Sequence, residues 1–181
     1  MKTNIFYLLV VLLSFISCNQ EKPFGISQDT VGLITKETKM NDLKNIFPND
    51  SLVDYNKTSQ YKNMASGVTL YEKGGAKLLR ILPKSNDEES LIENIQIFDK
   101  RYQTANGISL ESSFKDIQGA YSIKRIENLL DMVVIFVNES DAYFTIDKKH
   151  LPADLMFNTS SKVEQTQIPD DAPLKYLKVG W

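Results

Sequence analysis

At 181 residues, with 42% hydrophobic and 24% charged side chains, the chain has the composition of a folded globular protein, long enough for one domain or two small halves sharing a core. A formal net charge of −2 with no basic block argues against nucleic acid or an anionic bilayer as a partner attracted by charge. The lone cysteine excludes an intramolecular disulfide, so the fold must hold by packing.

The chain begins with a short positive region at Lys2, followed by the apolar run 5–16 (IFYLLVVLLSFI), broken only by Ser14. This run is too short to cross a bilayer, which takes roughly 20 residues, and has the proportions of a secretory signal. Small Ser17 precedes Cys18, a junction that resembles the lipobox of bacterial lipoproteins. The resemblance implies that the Cys18 thiol receives a diacylglyceryl group, that a peptidase cuts before it, and that the freed amine is acylated. Each buried methylene contributes about 0.8 kcal/mol, so several acyl chains anchor where one would not. Phe15 departs from the Leu that this family prefers at that position. Residues 1–17 are expected to be a signal peptide, and 18–23 the lipidated cysteine and tether. Lipoproteins of this kind stay in the inner membrane when Asp follows the cysteine. Here Asn19 follows it, so the outer membrane is expected.

Residues 30–47 (TVGLITKETKMNDLKNIF) and 104–121 (TANGISLESSFKDIQGAY) match without gaps at an offset of 74. Thr30, Ile34, Glu37 and Asp42 recur as Thr104, Ile108, Glu111 and Asp116, and Phe24 falls on Phe98. The chain therefore reads as a duplication, with repeats at 24–97 and 98–181. In each copy a turn containing Gly32 or Gly107 precedes a short amphipathic helix. Met40, Leu43, Ile46 and Phe47 line one face of the first, before Pro48 stops it. Phe114, Ile117, Ala120 and Tyr121 do the same in the second. Ser113 is a good N-cap there, with Asp116 three residues on. Asp42 and Asp116 sit where a helix N-terminus favours negative charge, so they read as caps.

Strands follow each helix: 51–55, 67–72, 76–82 and 91–99 in the first half, then 122–127, 132–138, 142–147 and 174–181 in the second. Gly74-Gly75 and Glu139-Ser140-Asp141 mark hairpin turns, and 83–90 and 157–172 read as loops. The expected fold class is α+β. Two repeated units, each a short helix followed by antiparallel strands, would form one antiparallel sheet with the helices packed on one face. Lipobox, polar tether and helix-plus-strands together resemble the small lipoprotein of the barrel-assembly machinery and the tandem β-lactamase-inhibitor-like fold. Residues 97–121, about a seventh of the chain, look like a segment of uncharacterised bacterial envelope lipoproteins. These resemblances imply an α+β architecture and protein binding, and carry no catalytic residues.

Little in the sequence supports catalysis. His150 is the only histidine, and it reads as solvent-facing beside Lys148 and Lys149. No Gly-x-Ser-x-Gly elbow surrounds a serine, zinc would need more His or Cys ligands, and the acidic runs lack calcium-loop spacing. No metal, no cofactor and no enzymatic activity are expected. The most distinctive polar cluster is 98–104 (FDKRYQT), which joins the halves. Asp99, Lys100, Arg101 and Tyr102 are candidate binding residues, because Arg and Tyr are favoured at interfaces. The competing reading is that Asp99 and Arg101 pair across the bend and pin the loop. The function expected is a lipid-anchored, non-catalytic binding or scaffold module for an envelope protein, with its contact surface on the sheet or the inter-repeat loop. The alternatives are a periplasmic carrier of an apolar ligand and, less favoured, an envelope hydrolase. Cys18→Ala should accumulate as a precursor that keeps its signal segment; maturation and fractionation like the wild type would refute lipidation.

Overall fold

The computed structural model describes residues 23–55, 67–87, 89–156 and 159–181. The expected signal peptide, and Cys18 with its expected lipidation, lie outside the described residues. The fold is α+β and dominated by strands. In chain order it runs β1 (Gly25–Ile26), β2 (Thr30–Val31), β3 (Ile34–Thr35), α1 (Leu43–Ile46), β4 (Ser51–Tyr55), β5 (Gly67–Tyr71), β6 (Lys77–Pro83), β7 (Ile92–Ile97) and β8 (Gln103–Thr104). It continues with α2 (Phe114–Ala120), β9 (Ile123–Asn128), β10 (Met132–Val137), β11 (Ala142–Asp147), α3 (Ala153–Met156) and β12 (Tyr176–Gly180).

Eight strands form one antiparallel sheet in the order β4-β5-β6-β7-β12-β11-β10-β9. Each half of the chain contributes a four-stranded meander, and β7 and β12 join them at the centre. Alternation along each strand sets the register, because successive side chains point to opposite faces. One row runs Leu52, Leu70, Leu79, Ile97, Leu177, Phe144, Ile135, Ile126, one residue from each strand, directly opposite one another. Leu70, Leu79, Leu177, Phe144 and Ile135 in that row are fully buried. Leu43 and Phe47, at and just after α1, and Phe114, Ile117 and Tyr121, in and just after α2, belong to the same buried cluster. The Tyr121 and Phe144 rings are 6.0 Å apart.

The cap on α2 is as the sequence indicates. Ser113 N donates to Asp116 Oδ2 at 2.7 Å, and Asp116 N donates to Ser113 Oγ at 3.4 Å. The first helical segment is shorter than the expected 40–47: a 3₁₀ turn at Met40–Asp42 leads into the single turn of α1. Lys39 N donates to Asp42 Oδ2 at 3.1 Å. Each helix entry is also tied to the sheet. Lys39 bridges Leu91 just before β7, and Ser113 bridges Pro173 shortly before β12.

A second sheet was not legible in the sequence. It has the order β3-β2-β1-β8, and its two-residue strands are too short to show alternation. Its parallel β1–β8 pair brings Gly25 opposite Gln103, and its Ile26, Val31 and Ile34 enter the common core. Gly32 permits the chain entry: its φ is +58°, and an added Cβ would lie 2.5 Å from the Pro23 carbonyl oxygen. Around His150 the reading needs correction. His150 is half-buried in a 3₁₀ turn, and neighbouring Lys148 is 2% exposed. Phe144→Ala, at the centre of the core row, should lower the unfolding free energy by about 3–5 kcal/mol in urea denaturation; a loss below about 1 kcal/mol would refute the packing described.

Candidate functional site

The segment after β7 shows how the four sequence-derived candidates are used. Asp99 and Arg101 do pair: Arg101 Nε and Nη2 donate to Asp99 at 3.0 and 2.8 Å, and Arg101 N donates to Asp99 Oδ1 at 2.9 Å. Arg101 also grips Glu72, at the end of β5, with a two-pronged contact of 3.0 and 2.8 Å. Its guanidinium lies 4.2 Å from the centre of the Phe24 ring. The Arg101 bonds hold the Asp99 carboxyl below its ordinary range, against the opposing effect of burial. Tyr102 is 2% exposed, with its ring edge-on to Phe24 at 5.1 Å. Burial, then the charge of Asp99, pushes its hydroxyl pKa upward. Tyr102 therefore offers no surface to a partner. Lys100 is exposed and paired with Glu111 at 2.9 Å. Asp99, Arg101 and Tyr102 together fasten Phe24 and the inter-half crossing to the end of the sheet.

The open face of the large sheet presents a different array. Its cross-strand row reads Val53, Thr69, Arg80, Gln96, Lys178, Tyr143, Phe136, Arg125, directly opposed from β4 to β9. It alternates with the core row; Val53 and Arg125 are exposed, Thr69 is buried, and the rest of the row is half-buried. Phe136 and Tyr143 stack with centroids 5.4 Å apart, and Arg125 lies 3.6 Å over Phe136. The Tyr143 hydroxyl accepts from Asn94 Nδ2 at 2.6 Å. Phe98, opening the polar cluster, lies under Lys77 Nζ at 3.6 Å and beside Arg80 at 5.3 Å. Lys178 Nζ is 5.5 Å from the Tyr176 ring. Burial, with the charge of Arg80 second, pushes both the Lys77 and Lys178 pKa values down. Sequence reasoning missed this surface because its cations come from three different strands, β6, β9 and β12.

Other features are less organised. An open groove of about 490 Å³ runs beside α2, lined by residues including Asn106, Ser109, Glu111 and Lys115. Among the described residues, no group of three or more His, Cys, Asp or Glu is placed to hold a metal ion. No described helix is long and apolar enough to cross a membrane.

The fold has a solved counterpart. It is similar to that of the uncharacterised protein yfeY from Escherichia coli. The two share 13% identity with a TM-score of 0.54, over 87% of this chain and 99% of that one. At that identity the likeness concerns the fold alone. No family model and no curated protein sequence matches the chain.

Asp99 supplies a test of the fastening. A carboxyl whose folded pKa is lowered contributes stability above its ordinary value near 4, and that contribution is lost as pH falls through the lowered value. Wild-type melting temperature should therefore fall more steeply than that of Asp99→Asn as pH is taken from about 5 to about 2. Equal slopes would refute a native-state role for the Asp99 charge.

Proposed function

We propose that this chain is a lipid-anchored cell-envelope protein, held in the outer membrane through Cys18, that works as a non-catalytic module binding another envelope protein. The observation that carries the binding reading is the open face of the sheet. It keeps stacked aromatics and partly buried lysines at the surface, where the opposite face turns its side chains into the core. Tyr and Arg in such an array offer wide contact area and directed hydrogen bonds.

The reading includes a duplicated helix-plus-strands unit, residues 24–97 and 98–181, with both helices on the core face of one sheet. Supporting it, two contacts recur at the offset of the sequence match, and a third recurs on its donor side. Thr35 N donates to Thr38 Oγ1 at 2.9 Å, and Ser109 N to Ser112 Oγ at 3.1 Å. Met40 N donates to Ser90 O at 3.0 Å, and Phe114 N to Ala172 O at 2.9 Å. Phe47 N donates to Leu43 O at 3.0 Å, and Tyr121 N to Ile117 O at 2.9 Å. Chance likeness of sequence would not require matching ties into the sheet.

The anchor reading rests on the signal and lipobox pattern. It also sets a distance: the span from Cys18 to Pro23 reaches at most about 18 Å when fully extended. With Phe24 fixed against Arg101 and Tyr102, the domain would ride close to the bilayer, within reach of membrane-embedded or membrane-attached proteins. In-cell photo-crosslinking from position 96, on the open face, followed by mass spectrometry, should capture one dominant envelope protein. Recovery of co-purifying lipid or glycan with no crosslinked protein would overturn the binding reading.

A further inference from the structure

We infer that the turn between β9 and β10, which carries Leu129 and Leu130, is a second membrane contact of this chain. It dips into the bilayer surface beside the lipid on Cys18, with Leu33 as a companion contact at the chain entry. The inference rests on the lipid-anchor reading above and adds a site that the anchor itself does not require.

Turn chemistry does not account for leucine here. Leu129 N donates to Met132 O at 2.9 Å, so Leu130 and Asp131 form the tip of the hairpin. Such tips favour Gly, Asn, Asp and Ser, whose backbone freedom or short polar side chains suit the bend. Asp131 fits that pattern and Leu130 does not. Leu130 is 82% exposed and Leu129 44%, so the core does not use them fully. Among the described residues the exposed large hydrophobic side chains are these two, Leu33 and Val53. A single exposed leucine is ordinary, but two in succession at a projecting tip, followed by half-buried Met132, leave apolar surface for something to cover.

The point where the tether leaves the domain selects the bilayer as the occupant. Ile97 and Ile126 stand in one cross-strand row, and β7 and β9 leave that row in the same direction, because four antiparallel pairings lie between them. Arg101 follows Ile97, and Leu130 follows Ile126, by the same four residues. The hairpin tip therefore lies at the end of the sheet where Arg101 and Tyr102 hold Phe24 and where the chain toward Cys18 departs. Leu33 is at this end too: Gly32 N donates to Gly25 O at 2.7 Å, and a Cβ on Gly32 would meet Pro23 and the Tyr102 ring. β7 and the β9–β10 hairpin stand three to four strands apart, about 15–19 Å along the sheet. That is comparable with the tether's reach of about 18 Å, so an anchored domain can lean until the tip meets the bilayer. Charges beside the two contacts are closed on one another. Lys175 pairs with Asp131 at 3.2 Å and Asp147 at 3.1 Å, and Arg101 pairs with Asp99 and Glu72. With both contacts made, the strands run toward the bilayer and the open face of the sheet looks along the membrane plane.

The test uses the full chain, lipidated in cells, purified in detergent and reconstituted into phosphatidylcholine vesicles, whose zwitterionic headgroups leave apolar contact to be read. With Cys18 acylated, Leu130→Cys supplies a single free thiol for an environment-sensitive dye. Lys84→Cys does the same just past β6, at the opposite end of the sheet. Spin-labelled lipid should quench the dye at position 130 on the order of threefold more strongly than at position 84, and adding Leu129→Gln should cut that quenching by about half. Unchanged melting temperatures show that the variants are folded. Equal quenching at the two positions overturns the inference and leaves the anchor in place. A wild-type chain that takes up the dye at Cys18 is not acylated, which overturns the anchor reading and this inference with it. In cells, a photo-crosslinker at position 130 should give mainly lipid adducts; a single protein as the main adduct overturns the bilayer as occupant. Protein captured from position 96 with no lipid adduct from position 130 overturns this inference alone and leaves the binding module intact.

Discussion

The register between β7 and β12 is the constraint on which the rest of the molecule depends. Ile97 stands opposite Leu177, and Ile95 opposite Val179, so these four side chains join two four-stranded meanders into one hydrophobic layer. A slip of one residue would carry Gln96 and Lys178 inward and their aliphatic neighbours outward. Burying an ammonium group without a partner is far costlier than the ordinary loss of a packed methyl. The cationic row therefore helps to fix the pairing: its residues cannot exchange places with the core row.

Two electrostatic regimes coexist on this scaffold. Around Arg101 the charges are closed on themselves, with two carboxylates and an aromatic ring accounting for the guanidinium. That cluster acts as a clasp, holding the entry of the chain and the crossing between halves against the end of β5. On the open face the lysines lack such closure. Lys77 and Lys178 make no ion pair among the described residues and lie against the rings of Phe98 and Tyr176 instead.

The sequence was most informative where a single element carries its own pattern. The β-branched and aromatic runs at 67–72 and 132–138, set off by turn residues, marked strands whose bounds agree with β5 and β10 to within about a residue. The Ser113 cap was visible for the same reason: its partner lies three residues away. The small sheet was invisible, since Gly25 and Gln103 pair across a gap that no local pattern spans. Tyr102 shows a related limit. An Arg-Tyr pair in a charged loop has the composition of an interface, but whether the ring is inside or outside depends on Phe24, far away in sequence. The open face combines both difficulties. Lys77 and Arg80 share β6, but Arg125 and Lys178 lie far from them along the chain, and only the strand order places all four on one face.

The central position of β12 has a kinetic corollary. Ile97 and Leu177 are neighbours in space but 80 residues apart in sequence. As a chain emerges N-terminus first, the first meander can assemble long before the strand that must pair with β7 exists. In that interval β7 is an unprotected edge, with Ile95 and Ile97 on its apolar side. Long waits before non-local pairing are where β proteins misassociate. Until residues 176–180 are available, the first half on its own leaves this apolar strand edge unpaired.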